Sequence, residues 1–277
     1  VKPYQSLSTL EANLLALNIY NLIQAVSWLN NEAGMIHGNI NPSALFIAQD
    51  GQLKLAGLEY IYKANTNIPL HVRNFQFLQN KLYQCPNKLN QQWNIIEELS
   101  NSQYSYAIDS YSLGRLIIQL YHETTITNSN TFNISNIPKE LRIYVKKLMN
   151  EHAKKRLNSK KLLTHAFFHD NSIIQAVLFI KELALKTPLE KEHFFKSFST
   201  SIELMSTELL QYNILPLLLS ALTYGSSGAT SFASVLQNVL LIGSKINNED
   251  YQSLIVPHVV KLFKIKDRAV RMHLLEK

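Results

Sequence analysis

The sequence predicts a mainly α chain in two parts: a helical lobe that carries one short β-hairpin, and after it an α-solenoid. Three observations predict it. Two largely apolar helical runs, 14–29 and 111–121, bracket short strand-like segments. From about Asn171 onward helix follows helix, and no strand pattern competes. Within that second half, Ile214-Leu215-Pro216-Leu217-Leu218-Leu219 is echoed by Ile255-Val256-Pro257-His258-Val259-Val260 at an offset of 41 residues. A helix pair cannot bury its apolar face alone, so an echo of this kind implies stacked pairs.

Each element has a local reason. Ser8-Thr9-Leu10-Glu11 reads as a capping box, in which hydroxyl and carboxylate satisfy amides at a helix start. The helix that follows carries Leu14, Leu15, Leu17, Ile19, Tyr20, Leu22, Ile23, Val26, Trp28 and Leu29, apolar around much of its circumference and therefore central, with Gly34 to stop it. Leu45-Phe46-Ile47 and Leu53-Lys54-Leu55 flank Gln49-Asp50-Gly51, whose Asp-Gly pair suits a tight hairpin turn. Residues 60–108 are rich in Asn, Gln and Ser, with Pro69 and Pro86 as breakers, and read as loop with short helices. Later helices are expected at 171–186, 188–206, 207–224, 229–246, 249–265 and 267–277. The offset of 41 residues falls in the period of HEAT and armadillo repeats, about 40 to 47 residues. The domains are thus 1–170 and 171–277. The run ends at Leu274-Leu275-Glu276-Lys277 without a polar cap, as a fragment would.

Composition narrows the class. With 277 residues, 46% hydrophobic and 17% charged, the chain has enough apolar material for two modest cores and is too apolar to be disordered. The single cysteine, Cys85, excludes an internal disulfide and a cysteine zinc cluster and favours a reducing compartment. No apolar run is long enough to cross a bilayer, so a cytoplasmic location is expected. The formal charge of +7 invites a polyanion partner. Lys139, Arg142, Lys146, Lys147, Lys154, Lys155, Arg156, Lys160 and Lys161 share one segment whose only acids are Glu140 and Glu151. Lys146, Lys147, Lys154, Lys155, Arg156, Lys160 and Lys161 are the candidate polyanion contacts. Lys261, Lys264, Lys266, Arg268 and Arg271 add charge near the end.

Helix, polar loop, hairpin, long loop and buried helix, in that order, resemble the large lobe (C-lobe) of a protein kinase. His37-Gly38-Asn39 stands where kinases carry His-Arg-Asp, and Pro42 matches the catalytic-loop proline. Gly57-Leu58-Glu59 follows the hairpin where Asp-Phe-Gly belongs. Cys85-Pro86-Asn87 replaces Ala-Pro-Glu, and Asp109-Ser110-Tyr111-Ser112-Leu113-Gly114 is similar to the segment opening the buried kinase helix. Arg156 and His165-Ala166-Phe167-Phe168 resemble the close of the lobe. Five weak matches in one order are strong together.

Phosphoryl transfer depends on positioning and on charge stabilisation by metal ions. Asn39 occupies the base position and has no useful basicity. Asn41 replaces the loop lysine, Ala44 the metal-binding asparagine, and Gly57 the principal magnesium ligand. Glu59, two residues further on, stands in the wrong place to replace it. No cofactor, metal or catalytic residue is therefore assigned, and the resemblance gives His37, Pro42 and Asp109 structural roles. In particular, Asp109 is expected to reach the backbone amides of the His37-Gly38 turn. Cys85 reads as a packed residue with no basic neighbour evident along the chain. The glycine-rich nucleotide loop would belong to a small lobe preceding residue 1.

A degenerate kinase lobe running into helical repeats narrows the resemblance further. Lys54-Leu55-Ala56-Gly57-Leu58-Glu59-Tyr60, Glu182-Leu183-Ala184-Leu185-Lys186 with Pro188, Glu190-Lys191 and Phe194-Phe195, and Asp267-Arg268-Ala269-Val270-Arg271 with Leu274-Leu275 resemble the Scy-like pseudokinases, within them the N-terminal kinase-like protein branch. The resemblance implies an inert scaffold of the cytoplasm and Golgi region, binding proteins through its HEAT surface, with coatomer (COPI) and Golgi-to-ER traffic as the expected setting. A tRNA-binding adaptor in nuclear export is the alternative, and a residual ATP-binding module a third.

Overall fold

The computed structural model describes residues 2–3, 12–122, 133–224, 229–264, 272 and 275. The chain is mainly helical and divides into two compact units, 1–48 with 52–170, and 49–51 with 171–277.

The first unit is built on helix α1 (Ala12–Asn31). Leu17, Ile19 and Ile23 are fully buried, and Leu14, Leu22 and Val26 nearly so. Each such side chain contributes about 1.5–3 kcal/mol by leaving water. The capping residues Ser8 and Glu11 lie outside the described residues. Strands β3 (Leu45–Ile47) and β4 (Leu53–Leu55) form the hairpin, antiparallel with Phe46 opposite Lys54. Buried Asn18 of α1 anchors it, its Oδ1 accepting from the amide of Leu53 at 2.9 Å.

Two pairings add to the expected hairpin. Strand β1 (Lys2–Pro3) joins β3 at its free edge, and β2 (Met35–Ile36) pairs with β5 (Tyr62–Lys63). Two-residue bridges are too short to show any period in sequence, which is why they were not expected.

Between β5 and the buried helix come α2 (Leu70–Asn74), α3 (Pro86–Leu89) and α4 (Trp93–Ser100), linked by turns. Ile36, Tyr62, Ile68, Val72, Cys85, Ile96 and Ile108 form one apolar cluster that holds this polar stretch down. Helix α5 (Ala107–Leu120) begins four residues earlier than expected, and every residue in it except Tyr111 is buried. Helices α6 (Lys139–Leu148), α7 (Lys160–Leu163) and α8 (Ala166–His169) complete the unit.

The second unit contains α9 (Ser172–Lys181), α10 (Pro188–Glu203), α11 (Thr207–Leu209), α12 (Leu215–Tyr224), α13 (Ala229–Gly243), α14 (Asn248–Asp250) and α15 (Val256–Leu262). Thr187 and Glu190 form a capping box at the start of α10, and Phe194 stacks on Phe179 with centroids 4.1 Å apart. The expected helices at 207–224 and 249–265 are each interrupted. Ser206 caps α11 and Asn247 caps α14; each short helix passes into a π-helical turn, 210–214 and 251–255, and then into a helix with proline at its second position. Proline lacks an amide hydrogen and its ring crowds the carbonyl four residues back, so the backbone widens just before Pro216 and Pro257. Cap, π-turn and proline all recur at the offset of 41 residues found in the sequence. The expected helix 267–277 lies almost wholly outside the described residues.

Candidate functional site

The loop 37–44 and the start of α5 form the site that the kinase resemblance points to. Strand β2 delivers His37 and Gly38 beside the first turn of α5, where Asp109 is fully buried. Asp109 Oδ2 accepts from the His37 amide at 2.8 Å and from Asn30 Nδ2 at 2.7 Å, while Oδ1 accepts from the Gly38 amide at 2.9 Å. Asn30 Nδ2 also donates to the Met35 carbonyl at 3.0 Å. One carboxylate thus holds α1, β2 and α5 together, and charge-assisted bonds of this kind are about twice as strong as neutral ones.

The buried His37 ring takes a defined tautomer. Nδ1 accepts from the Asn39 amide at 3.3 Å, so Nε2 carries the proton and donates to the Ala56 carbonyl at 2.8 Å. Both nitrogens are committed to backbone, and neither is available for chemistry. From the opposite side, Lys88 of α3 sends Nζ to the Gly38 carbonyl at 2.7 Å and to Gln79 Oε1 at 2.5 Å. Lys88 is buried; desolvation pulls its ammonium down to about 8, against the attraction of Cys85 and Asp109.

The outer side of the loop differs. Asn41 Oδ1 accepts from the Ser43 amide at 2.8 Å and caps the 3-10 turn Pro42–Ala44, while its Nδ2 donates to the carbonyl and side-chain oxygens of Asn39, both at 2.9 Å. Asn39 Nδ2 reaches Glu59 Oε1 only at 3.5 Å. Ala44 and Gly57 face each other: Gly57 has φ of +76°, and a Cβ built on it would stand 2.9 Å from Ala44 Cβ. The two positions that should ligate magnesium offer no ligand atom and leave no room for one at 57. Among the described residues no group of three His, Cys, Asp or Glu side chains could hold a metal ion. The residues present do not fit a magnesium-nucleotide centre.

Two expectations are corrected here. Arg156 is no polyanion contact: it is 2% exposed, and its guanidinium donates to the carbonyls of Asn150, Ala107 and Glu151 and lies 5.1 Å over the Tyr111 ring. It ties α5 to the segment before α7 instead. Cys85 does have basic neighbours, since Lys88 and Arg156 are both within its electrostatic reach, although its own place is in the apolar cluster. Lys146 and Lys147 end α6, Lys154 and Lys155 lie in the turn Ala153–Lys155, and Lys160 and Lys161 begin α7; all six are exposed. Lys154 pairs with Glu98 at 2.8 Å and Lys160 with Glu32 at 2.9 Å. Near the end Lys261 and Lys264 are exposed, whereas Lys266, Arg268 and Arg271 lie outside the described residues.

Sequence reading missed Asn30 and Lys88. Asn30 could have been suspected as a polar residue closing an apolar helix. Lys88 carries no local signal, because its partners come from positions 38 and 79.

No family model matches the chain. It is 32% identical, over 95% of its length, to the probable inactive serine/threonine-protein kinase scy1 of Dictyostelium discoideum, covering 31% of that protein. It is 28% identical over 99% of its length to the mouse protein-associating with the carboxyl-terminal domain of ezrin, covering 37% of it, and 26% identical over 86% to the protein kinase-like protein SCY1 of Saccharomyces cerevisiae, covering 33%. The chain therefore spans about a third of the length of the curated relatives it matches. Those relatives align along nearly the whole chain, across the emptied loop and the helices after it, and by them the chain belongs to the Scy1-like pseudokinase family.

Proposed function

We propose that the protein is a catalytically silent scaffold in cytoplasmic membrane traffic, its setting the coatomer-dependent Golgi-to-ER route, with the second unit forming the start of a HEAT-type solenoid that presents a protein-binding surface. The observation that carries this is the split within one loop: base and metal positions are emptied together at Asn39, Ala44 and Gly57, while buried Asp109 and the His37 ring hold the loop's backbone in place. A fold maintained after its chemistry is gone has been kept for its surfaces. The repeat of cap, π-turn and proline at 41 residues supports the solenoid. The name of the mouse relative, a protein that associates with an ezrin domain, supports protein binding. The tRNA-adaptor alternative is weakened, because Arg156, the only arginine among the candidate contacts in 146–161, is buried.

The test has two arms with purified full-length protein. Phosphotransfer from ATP with magnesium is expected at background, and capture by purified coatomer is expected above a control. Magnesium-dependent transfer that disappears on changing Asn39 would sink the silent reading, and absence of coatomer capture would sink the route.

A further inference from the structure

We infer that the exposed face of α6, with the turn and helix that follow it, docks on an anionic phospholipid bilayer; this rests on the trafficking scaffold reading and names a second kind of surface for it. Lys139, Ile143, Lys146 and Lys147 are spaced by three and four residues, so they share one face of α6, and all four are exposed. Ile143 is 56% exposed in the middle of these lysines. The face extends beyond the helix. The Leu157 amide donates to the Lys147 carbonyl at 3.1 Å, which brings Lys155 close, and Tyr144 packs edge-on against His165 at 4.3 Å, which brings the end of α7 alongside. Lys139, Lys146, Lys147, Lys155 and Lys161 make no ion pair among the described residues. Glu140 stands at the edge of the face.

A solvated basic helix end is the plainer explanation for Lys146 and Lys147, since cations in a last turn offset the helix dipole. It does not account for Lys139, at the other end of α6, or for an aliphatic side chain held out in water between the charges. A bilayer accounts for both. Its negative surface field acts on lysines as point charges, and its acyl boundary accepts Ile143. RNA is matched less well. Arg142 is turned back onto the carbonyls of Ile137 and Ser135, Arg156 is buried, and Tyr144 is covered by His165 and Lys147, so the face offers neither a guanidinium fork nor an open stacking ring.

Vesicle co-sedimentation of the full-length protein tests this, using phosphatidylcholine with and without phosphatidylserine. Binding is expected only with phosphatidylserine and is expected to weaken with salt. Lys146→Ala with Lys147→Ala should weaken it about thirty-fold. Ile143→Ser should weaken it about tenfold while leaving its salt dependence intact. Circular dichroism melts verify that the variants fold; if the first pair does not, Lys155→Ala with Lys161→Ala replaces it with the same expected loss. No phosphatidylserine-dependent binding at low salt would overturn the proposal, as would binding indifferent to these substitutions. So would tRNA binding lost in the lysine variants with no vesicle binding, which would assign the face to RNA. Since no vesicle enters the phosphotransfer or coatomer arms, failure here leaves the scaffold reading to stand or fall on its own test.

Discussion

The two sides of the loop 37–44 have opposite histories written in their bonds. On the inner side, Asp109, Asn30, Lys88 and the His37 ring give the turn partners at nearly every polar atom. On the outer side, the Asn39 side chain meets its loop neighbour Asn41 and, at long range, Glu59, and Ala44 and Gly57 meet as small residues where ligands would be needed. The difference teaches that shape and chemistry are separable in this loop. Shape is held from beneath by buried, bonded groups, whereas the positions that would carry chemistry lie on the outer side and hold residues whose side chains make few bonds to the rest of the fold.

The largest effect should come from breaking the inner side at its centre. Asp109→Ala leaves the amides of His37 and Gly38 and the Asn30 side chain without their carboxylate acceptor inside a buried site. A loss of about 3–5 kcal/mol is expected in denaturant melts, and a melt within experimental scatter of the parent would refute the bracing role.

Lys88 gives a smaller effect with a pH signature. Its folded value of about 8 lies below the ordinary 10.5, so between these limits the unfolded chain binds more protons and stability rises with pH, by up to about 1.4 kcal/mol per unit. Below about 8 the cost of the buried charge is fully present. Lys88→Met takes away the buried charge together with the donor to Gly38 and Gln79, so it should remove that rise and cost more stability at pH 10.5 than at neutral pH, where relief of the charge offsets the lost bonds. Parallel stability profiles for parent and variant from pH 7 to pH 10.5 would show that Lys88 does not titrate as described.

The smallest effect belongs to the outer side. Asn39→Asp restores the acid of the base position, yet it should change stability by no more than about 0.5 kcal/mol. Phosphotransfer should stay at background, since Ala44 and Gly57 still offer no metal ligand. Recovery of transfer by this one substitution would show that the outer side retains more machinery than its residues suggest.

Much of this was legible along the chain. Helix α1, the hairpin with its strands at 45–47 and 53–55, and the helical second half follow from local periodicity and turn chemistry, which act over a few residues. The 41-residue recurrence was legible as well, because at Pro216 and Pro257 the proline stands inside a continuing apolar helical run and meets the same local sequence pattern. The bonds of Asp109 to the His37 and Gly38 amides, 72 and 71 residues back, followed from the kinase resemblance; what was not legible is the Asp109 bond to Asn30, 79 residues back, and that of Lys88 to Gly38, which spans 50.

By itself the sequence determined that the chain is mainly helical and that the residues for phosphoryl transfer are missing, because an alanine or a glycine lacks a ligand atom in any fold. Only the tertiary structure decided which cations face water. Arg156 and Lys88 look as exposed in sequence as Lys146 or Lys161, and they are buried because segments far along the chain close over them and supply carbonyls to hold their charge. Burial is a property of packing between distant parts, and no local pattern encodes it.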